Sequence, residues 1–109
     1  MQHPGLNVTY TQGAPPVLTV TGELDVATAP LLRNAFLDLL DGSREVPDLA
    51  IEASGVSFAD SSGLAVLLMG ARRWASHDKK LVLRAPSAAL LRVIDLTGVR
   101  RAFEVEGTG

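Results

Sequence analysis

The tetrapeptide Asp60-Ser61-Ser62-Gly63 stands between a segment ending in Phe58-Ala59 and a leucine-rich run opening at Leu64. Small hydroxyl and carboxylate side chains in that position mark a strand-to-helix turn. The first backbone N–H groups of a helix have no partners within it. Asp60 or Ser61 can accept from them, a capping contribution of about 1 kcal/mol. Capping uses one of these residues and leaves the others unaccounted for. The second chemistry is phosphate acceptance. A serine hydroxyl at a helix start is exposed, and the helix dipole with its free N–H groups accommodates an anion. A phosphate there would add about 1.5 to 2 negative charges beside Asp60, enough to switch off a protein interface by repulsion and desolvation.

The other chemistry-bearing residues assemble into no catalytic signature. The chain has no Walker loop, no G-x-G-x-x-G and no G-x-S-x-G nucleophile elbow. Its two histidines, His3 near the N-terminus and His77 at the end of a helical run, are not placed to serve as a base for Ser61. Ser76-His77-Asp78-Lys79 matches S-x-x-K without the companion motifs that would give it meaning. With no cysteine there is no disulfide, thiolate ligand or cysteine nucleophile, and no carboxylates cluster at metal-ligand spacing. The expectation is a chain with no catalytic residues, no metal and no cofactor of its own.

Strands and helices alternate around the turn. Asn7–Thr11 and Val17–Thr21 are β-branched runs separated by Gly13-Ala14-Pro15-Pro16, which predicts a hairpin with a longer loop. Thr28–Leu40 has helical period, with Thr28 as N-cap, Pro30 in the first turn and Gly42 at the exit. Leu49–Ala53 reads as a strand, and a second helix runs to about Ser76 through Leu64, Leu67, Leu68, Ala71 and Trp74 or Ala75. Gly63 and Gly70 share nearly one face of it, which predicts close approach to a sheet; Trp74 is expected in the core. Lys80–Arg84, a helix from Ser87 to a C-terminal Gly98, and a strand at Phe103–Val105 complete the chain. Met1–Gly5 and Gly107–Gly109 read as loose ends. The order β-β-α-β-α-β-α-β predicts an α/β fold with a mostly parallel sheet, an N-terminal antiparallel pair and right-handed crossovers. Its functional loops fall after strand carboxyl ends, at Gly22–Ala27 and Ser54–Asp60.

At 109 residues and 47% hydrophobic, with mean hydropathy +0.23, one modest core is expected over residues 1–109. The longest uncharged apolar run, Gly63–Ala71, is too short to cross a bilayer, and no signal peptide opens the chain. These features predict a soluble intracellular domain. Residues 1–59 carry two Arg against seven acidic residues, and residues 60–109 carry eight Lys/Arg against five. Only Trp74 interleaves with the cations, so Arg72, Arg73, Lys79, Lys80, Arg100 and Arg101 read as a solvated face, with no direct nucleic-acid partner expected.

Phe58-Ala59-Asp60-Ser61-Ser62-Gly63-Leu64 resembles the signature of the STAS domain as found in bacterial anti-sigma factor antagonists. Gly22-Glu23-Leu24-Asp25 followed by Thr28-Ala29 is similar to that family's second-strand exit and first helix start. Leu49–Phe58 and Ser87–Gly98 followed by Phe103 agree with it too, so the likeness covers about residues 7–106. It implies the STAS fold, with three to four helices on the sheet, and a partner-switching protein. Unphosphorylated, such a protein binds an anti-sigma factor with serine kinase activity and frees a sigma factor. Phosphorylation of the serine directly after the motif aspartate, here Ser61, inactivates it, and a PP2C-type phosphatase restores it. Asp60 would support the acceptor, while Ser62 and Gly63 would shape the helix start. Glu23, Asp25, Val26 and Thr28, with Phe58 and Leu64, would face the partner; Phe58 also reads as a plug under the turn, and Leu64 as core or contact. ATP would sit on the partner, in the cytoplasm. The alternative is an accessory subunit of an ABC-type transporter. A nucleotide-binding or hydrolytic enzyme is a third class, without a phosphate loop or base to support it.

Overall fold

The computed structural model describes residues 2–3, 5–42 and 45–107. Strands β1 (Gln2–His3), β2 (Leu6–Thr11), β3 (Val17–Leu24), β4 (Leu49–Ala59), β5 (Leu81–Arg84) and β6 (Glu104–Glu106) form one sheet in sequence order. The first two pairings are antiparallel and the other three parallel. Helices α1 (Ala29–Asp41), α2 (Ser61–Ser76) and α3 (Ala88–Thr97) make the crossovers, with a single 3-10 turn at Arg100–Ala102. Right-handed crossovers between strands in sequence order put successive helices on one face of the sheet. The strand residues sort accordingly. Leu6, Val8, Leu18, Val20, Leu49, Ile51, Leu81 and Leu83 are buried in one core with the helices, while Thr9, Thr19, Glu52 and Arg84 lie in register across the opposite, solvated face.

The predicted architecture is therefore the observed one, with corrections at several boundaries. Gln2–His3, read as a loose end, pairs with β2; Met1, Pro4, Thr108 and Gly109 lie outside the described residues. Strand β3 runs past Thr21 to Leu24, because Gly22 is a strand residue with φ +104° rather than the start of a loop. A Cβ at Gly22 would collide with the Gly5 carbonyl, so backbone approach demands glycine there. Strand β4 runs six residues past the expected end at Ala53. Its register against β3 slips twice: Thr19 and Thr21 face Glu52 and Gly55, and Gly22 and Glu23 face Val56 and Phe58. These bulges change the buried spacing from two (Leu49, Ile51, Ala53) to three (Ala53, Val56, Ala59), which disguises the strand in sequence.

Helix ends follow local chemistry. Ser87 Oγ accepts from Leu90 N, and Gly98 at φ +72° closes α3 in the left-handed region. Thr28 precedes α1 as expected, but its side chain makes no cap bond to that helix. The two glycines of α2 meet different neighbours: Gly63 packs on Leu24 at the end of β3, and Gly70 on the Phe36 ring of α1 rather than on the sheet. One turn further, Trp74 is fully buried, with its ring edge-on to Phe36 at a centroid separation of 5.6 Å. Its indole N–H donates to the Pro47 carbonyl at 2.8 Å, tying α2 to the segment before β4. Trp74→Phe removes that donor and leaves a void, so stability falls by about 2–3 kcal/mol, measured as a lower urea midpoint by circular dichroism.

Candidate functional site

Parallel pairing of β3 with β4 continues to Leu24 opposite Ala59, so the two strands end together. Their exits, the Asp25–Thr28 loop into α1 and the Asp60 turn into α2, are consequently neighbours. Asp60 N–H donates to the Leu24 carbonyl at 3.2 Å. An added Cβ on Gly63 would stand 2.5 Å from Leu24 Cγ and 2.6 Å from its carbonyl oxygen. The first turn of α2 thus rests directly on Leu24, which only a glycine permits.

Asp60 is the N-cap. One carboxylate oxygen, Oδ1, accepts from Ser62 N–H at 2.9 Å and Gly63 N–H at 3.1 Å, and the Asp60 carbonyl accepts the first helical bond from Leu64 N–H. That resolves the choice of cap between Asp60 and Ser61. It also corrects the picture of free N–H groups awaiting a phosphate, since the aspartate already holds two of them. Ser61 occupies the first helical position with its side chain exposed, and its hydroxyl has no partner among the described residues. Ser62, next along, is half-buried.

The adjoining loop is held by its own side chains. Asp25 Oδ1 accepts from Ala27 N–H at 3.0 Å and Thr28 N–H at 3.1 Å. Thr28 Oγ1 donates to the Glu23 carbonyl at 2.7 Å and accepts from Asp25 N–H at 2.9 Å. Thr28 is only 2% exposed, so it acts from inside as a pin for the loop and does not present its side chain to a partner. Leu64, at 3%, is likewise a core residue. Burial takes both out of the expected partner-facing set and decides for Leu64 between the core and contact readings. Thr28 is drawn in by its bonds to the Glu23 carbonyl and Asp25 amide, Leu64 by packing of α2 on the core. Phe58 is exposed, which corrects its reading as a plug under the turn and is compatible with the partner-facing one. Val26 stands out at 72% exposure, Glu23 is exposed, and Asp25 is half-buried. Segments 23–28 and 58–64 carry three acidic residues, Glu23, Asp25 and Asp60, and no cation, while Arg92 of α3 shares a groove with Phe58 and Ala59.

Sequence reasoning missed Leu24, the residue on which both exits converge; its aliphatic side chain carries no chemical signal. It also missed that the Gly5 carbonyl accepts Glu23 N–H at 2.6 Å, steadying β3 where the loop departs. Two substitutions test this construction. Asp60→Ala removes both cap bonds and lowers stability by about 1–2 kcal/mol in urea unfolding, with α2 retained. Thr28→Val strands the Glu23 carbonyl and the Asp25 amide, so the Asp25 amide exchanges with solvent distinctly faster by NMR, while amides of β5 keep their protection.

The family model described as Mlab, STAS domain matches residues 8–105. The anti-sigma-B factor antagonist of Staphylococcus aureus (strain NCTC 8325 / PS 47) is 33% identical over 106 residues, 94% of this chain and 95% of that one. An anti-sigma factor antagonist from Mycobacterium paratuberculosis, known by its crystal structure, is 28% identical with a TM-score of 0.82, covering 99% of this chain and 92% of that one. The Bacillus cell fate determinant SpoIIAA, solved in its phosphorylated form, shares the fold with a TM-score of 0.68 at 20% identity, over 91% of this chain and 90% of that one. With the fold and these similarities agreeing over nearly its whole length, this chain belongs to the STAS-domain family of anti-sigma factor antagonists.

Proposed function

We propose that this protein is a phosphorylation-controlled partner switch: unphosphorylated, it binds an anti-sigma factor that is also a serine kinase and releases a sigma factor, and phosphorylation of Ser61 ends that binding. The observation that carries this reading is the exposed Ser61 hydroxyl, directly after an aspartate whose carboxylate occupies the neighbouring N–H groups. Membership of a non-catalytic family of antagonists supports it. The chain acts as a substrate, with ATP on the partner and a PP2C-type phosphatase resetting it in the cytoplasm. The second phosphorylatable hydroxyl of the motif, on Ser62, is less accessible.

The physical basis of the switch is electrostatic. Because Asp60 holds Ser62 N–H and Gly63 N–H, a phosphate on Ser61 gains no cradle there without displacing the cap. About 1.5 to 2 negative charges therefore project outward beside Glu23, Asp25 and Asp60. Hundredfold loss of affinity needs about 2.8 kcal/mol. A phosphate whose neighbouring N–H groups are already taken by Asp60, and which loses its water when a partner covers it, supplies a term of that size, because burying an uncompensated charge costs several kcal/mol. The fold itself need not move.

The test is affinity capture from the native lysate with wild type, Ser61→Ala and Ser61→Asp as parallel baits, followed by mass spectrometry. A serine kinase-type anti-sigma factor is retained by wild type and Ser61→Ala and is depleted at least tenfold with Ser61→Asp. Equal recovery of transporter ATPase subunits on all three baits would instead establish the accessory-subunit role and reduce Ser61 to the first residue of a capped helix.

A further inference from the structure

Strand β5 ends at Arg84, opposite Glu52, whereas β4 runs on beside β3 to Ala59. Helix α3 occupies the place a longer β5 would take. Ser87 N–H donates to the Ala53 carbonyl at 3.2 Å, and the helix then continues along the far half of β4. Between them lies a groove of about 290 Å³ lined by Phe58, Ala59, Ala89, Arg92, Val93 and Leu96. Five of these six residues are apolar. Phe58 is 49% exposed and Leu96 77%, two of the four large hydrophobic side chains that stand exposed among the described residues. Exposed apolar groups gathered at one concave place mark interaction surfaces, whereas scattered ones do not.

The charges around this groove define its complement. Arg92 is exposed and has no ion-pair partner among the described residues. On the other side of Phe58, its register partner on β3 is Glu23, and the acidic Asp25 and Asp60 follow. The surface is therefore bipolar, with an acidic half around Ser61 and an apolar half with one cation along α3. Phe58 sits on the boundary, three residues before Ser61.

We infer that the groove between β4 and α3 is a second docking element for the same anti-sigma factor, receiving an apolar side chain of that protein with a carboxylate set against Arg92. This rests on the function proposed above. It divides recognition into two parts: the apolar anchor contributes affinity and orientation whatever the state of Ser61, and the acidic half carries the phosphate-sensitive contact. The partner's contact surface then has acidic–apolar character facing α3.

The experiment is titration calorimetry of the purified anti-sigma factor, identified by its Ser61-dependent capture, against wild type and the variants Leu96→Glu, Arg92→Glu, Tyr10→Glu and Ser61→Asp. Tyr10 is 40% exposed on β2 and serves as the control for a charge placed on an exposed hydrophobic position elsewhere. Circular dichroism melting verifies that each variant is folded. Leu96→Glu and Arg92→Glu are expected to raise Kd at least tenfold, with Tyr10→Glu within twofold of wild type. The inference is overturned if Leu96→Glu and Arg92→Glu bind within twofold of wild type while Ser61→Asp still weakens binding; the partner switch then stands without the groove. Equal weakening by Tyr10→Glu overturns it as well, by showing that the effect has no place on the surface. Failure of any anti-sigma factor to bind wild type is a different result, which removes the proposed function and this inference together.

Discussion

Leu24 supports two things at once: its carbonyl receives the Asp60 N–H, and its side chain and backbone form the floor under Gly63. Without that contact the first turn of α2 would lift away from β3, and Ser61 would lose its fixed relation to the Asp25–Thr28 loop. The contact depends in turn on parallel pairing of β3 and β4 as far as Leu24 and Ala59, which needs both bulges of β4 to bring the strand ends level. Local backbone geometry and functional placement are thus one constraint here.

Polar side chains around the site divide into those that hold and those that meet solvent. Asp60, Asp25 and Thr28 spend their hydrogen-bonding capacity on backbone groups of their own turns. Ser61 and Glu23 are left outward, as is the apolar Val26. A rigid support with a small exposed hydroxyl suits the proposed modification, whose effect is charge, because bound groups that are already satisfied have nothing to gain by rearranging. The buried edge-on pair of Trp74 and Phe36 lies at the other end of α2 and fixes its axis against α1, so that the N-terminal turn is aimed from a distance as well as seated locally.

Periodicity alone determined that this chain makes a hairpin followed by three helix crossovers, because apolar spacing of two and of three to four reports directly which faces must leave water. The sequence also determined the cap chemistry at Ser87 and Gly98 and the location of the Asp60–Gly63 turn, since those depend on a few adjacent residues. Three matters were decided only in the folded molecule. The far half of β4 was illegible because bulges replace the alternation that announces a strand. Thr28 turned inward to bond backbone groups of its own loop, and Leu64 because the sheet covers that face of α2, and no spacing within the loop encodes either. The groove at Phe58 and Leu96, thirty-eight positions apart in the chain, exists because β5 stops short and α3 lies in its place. Distant residues meet by sheet register and helix placement, which are properties of the assembled layers and not of any one segment.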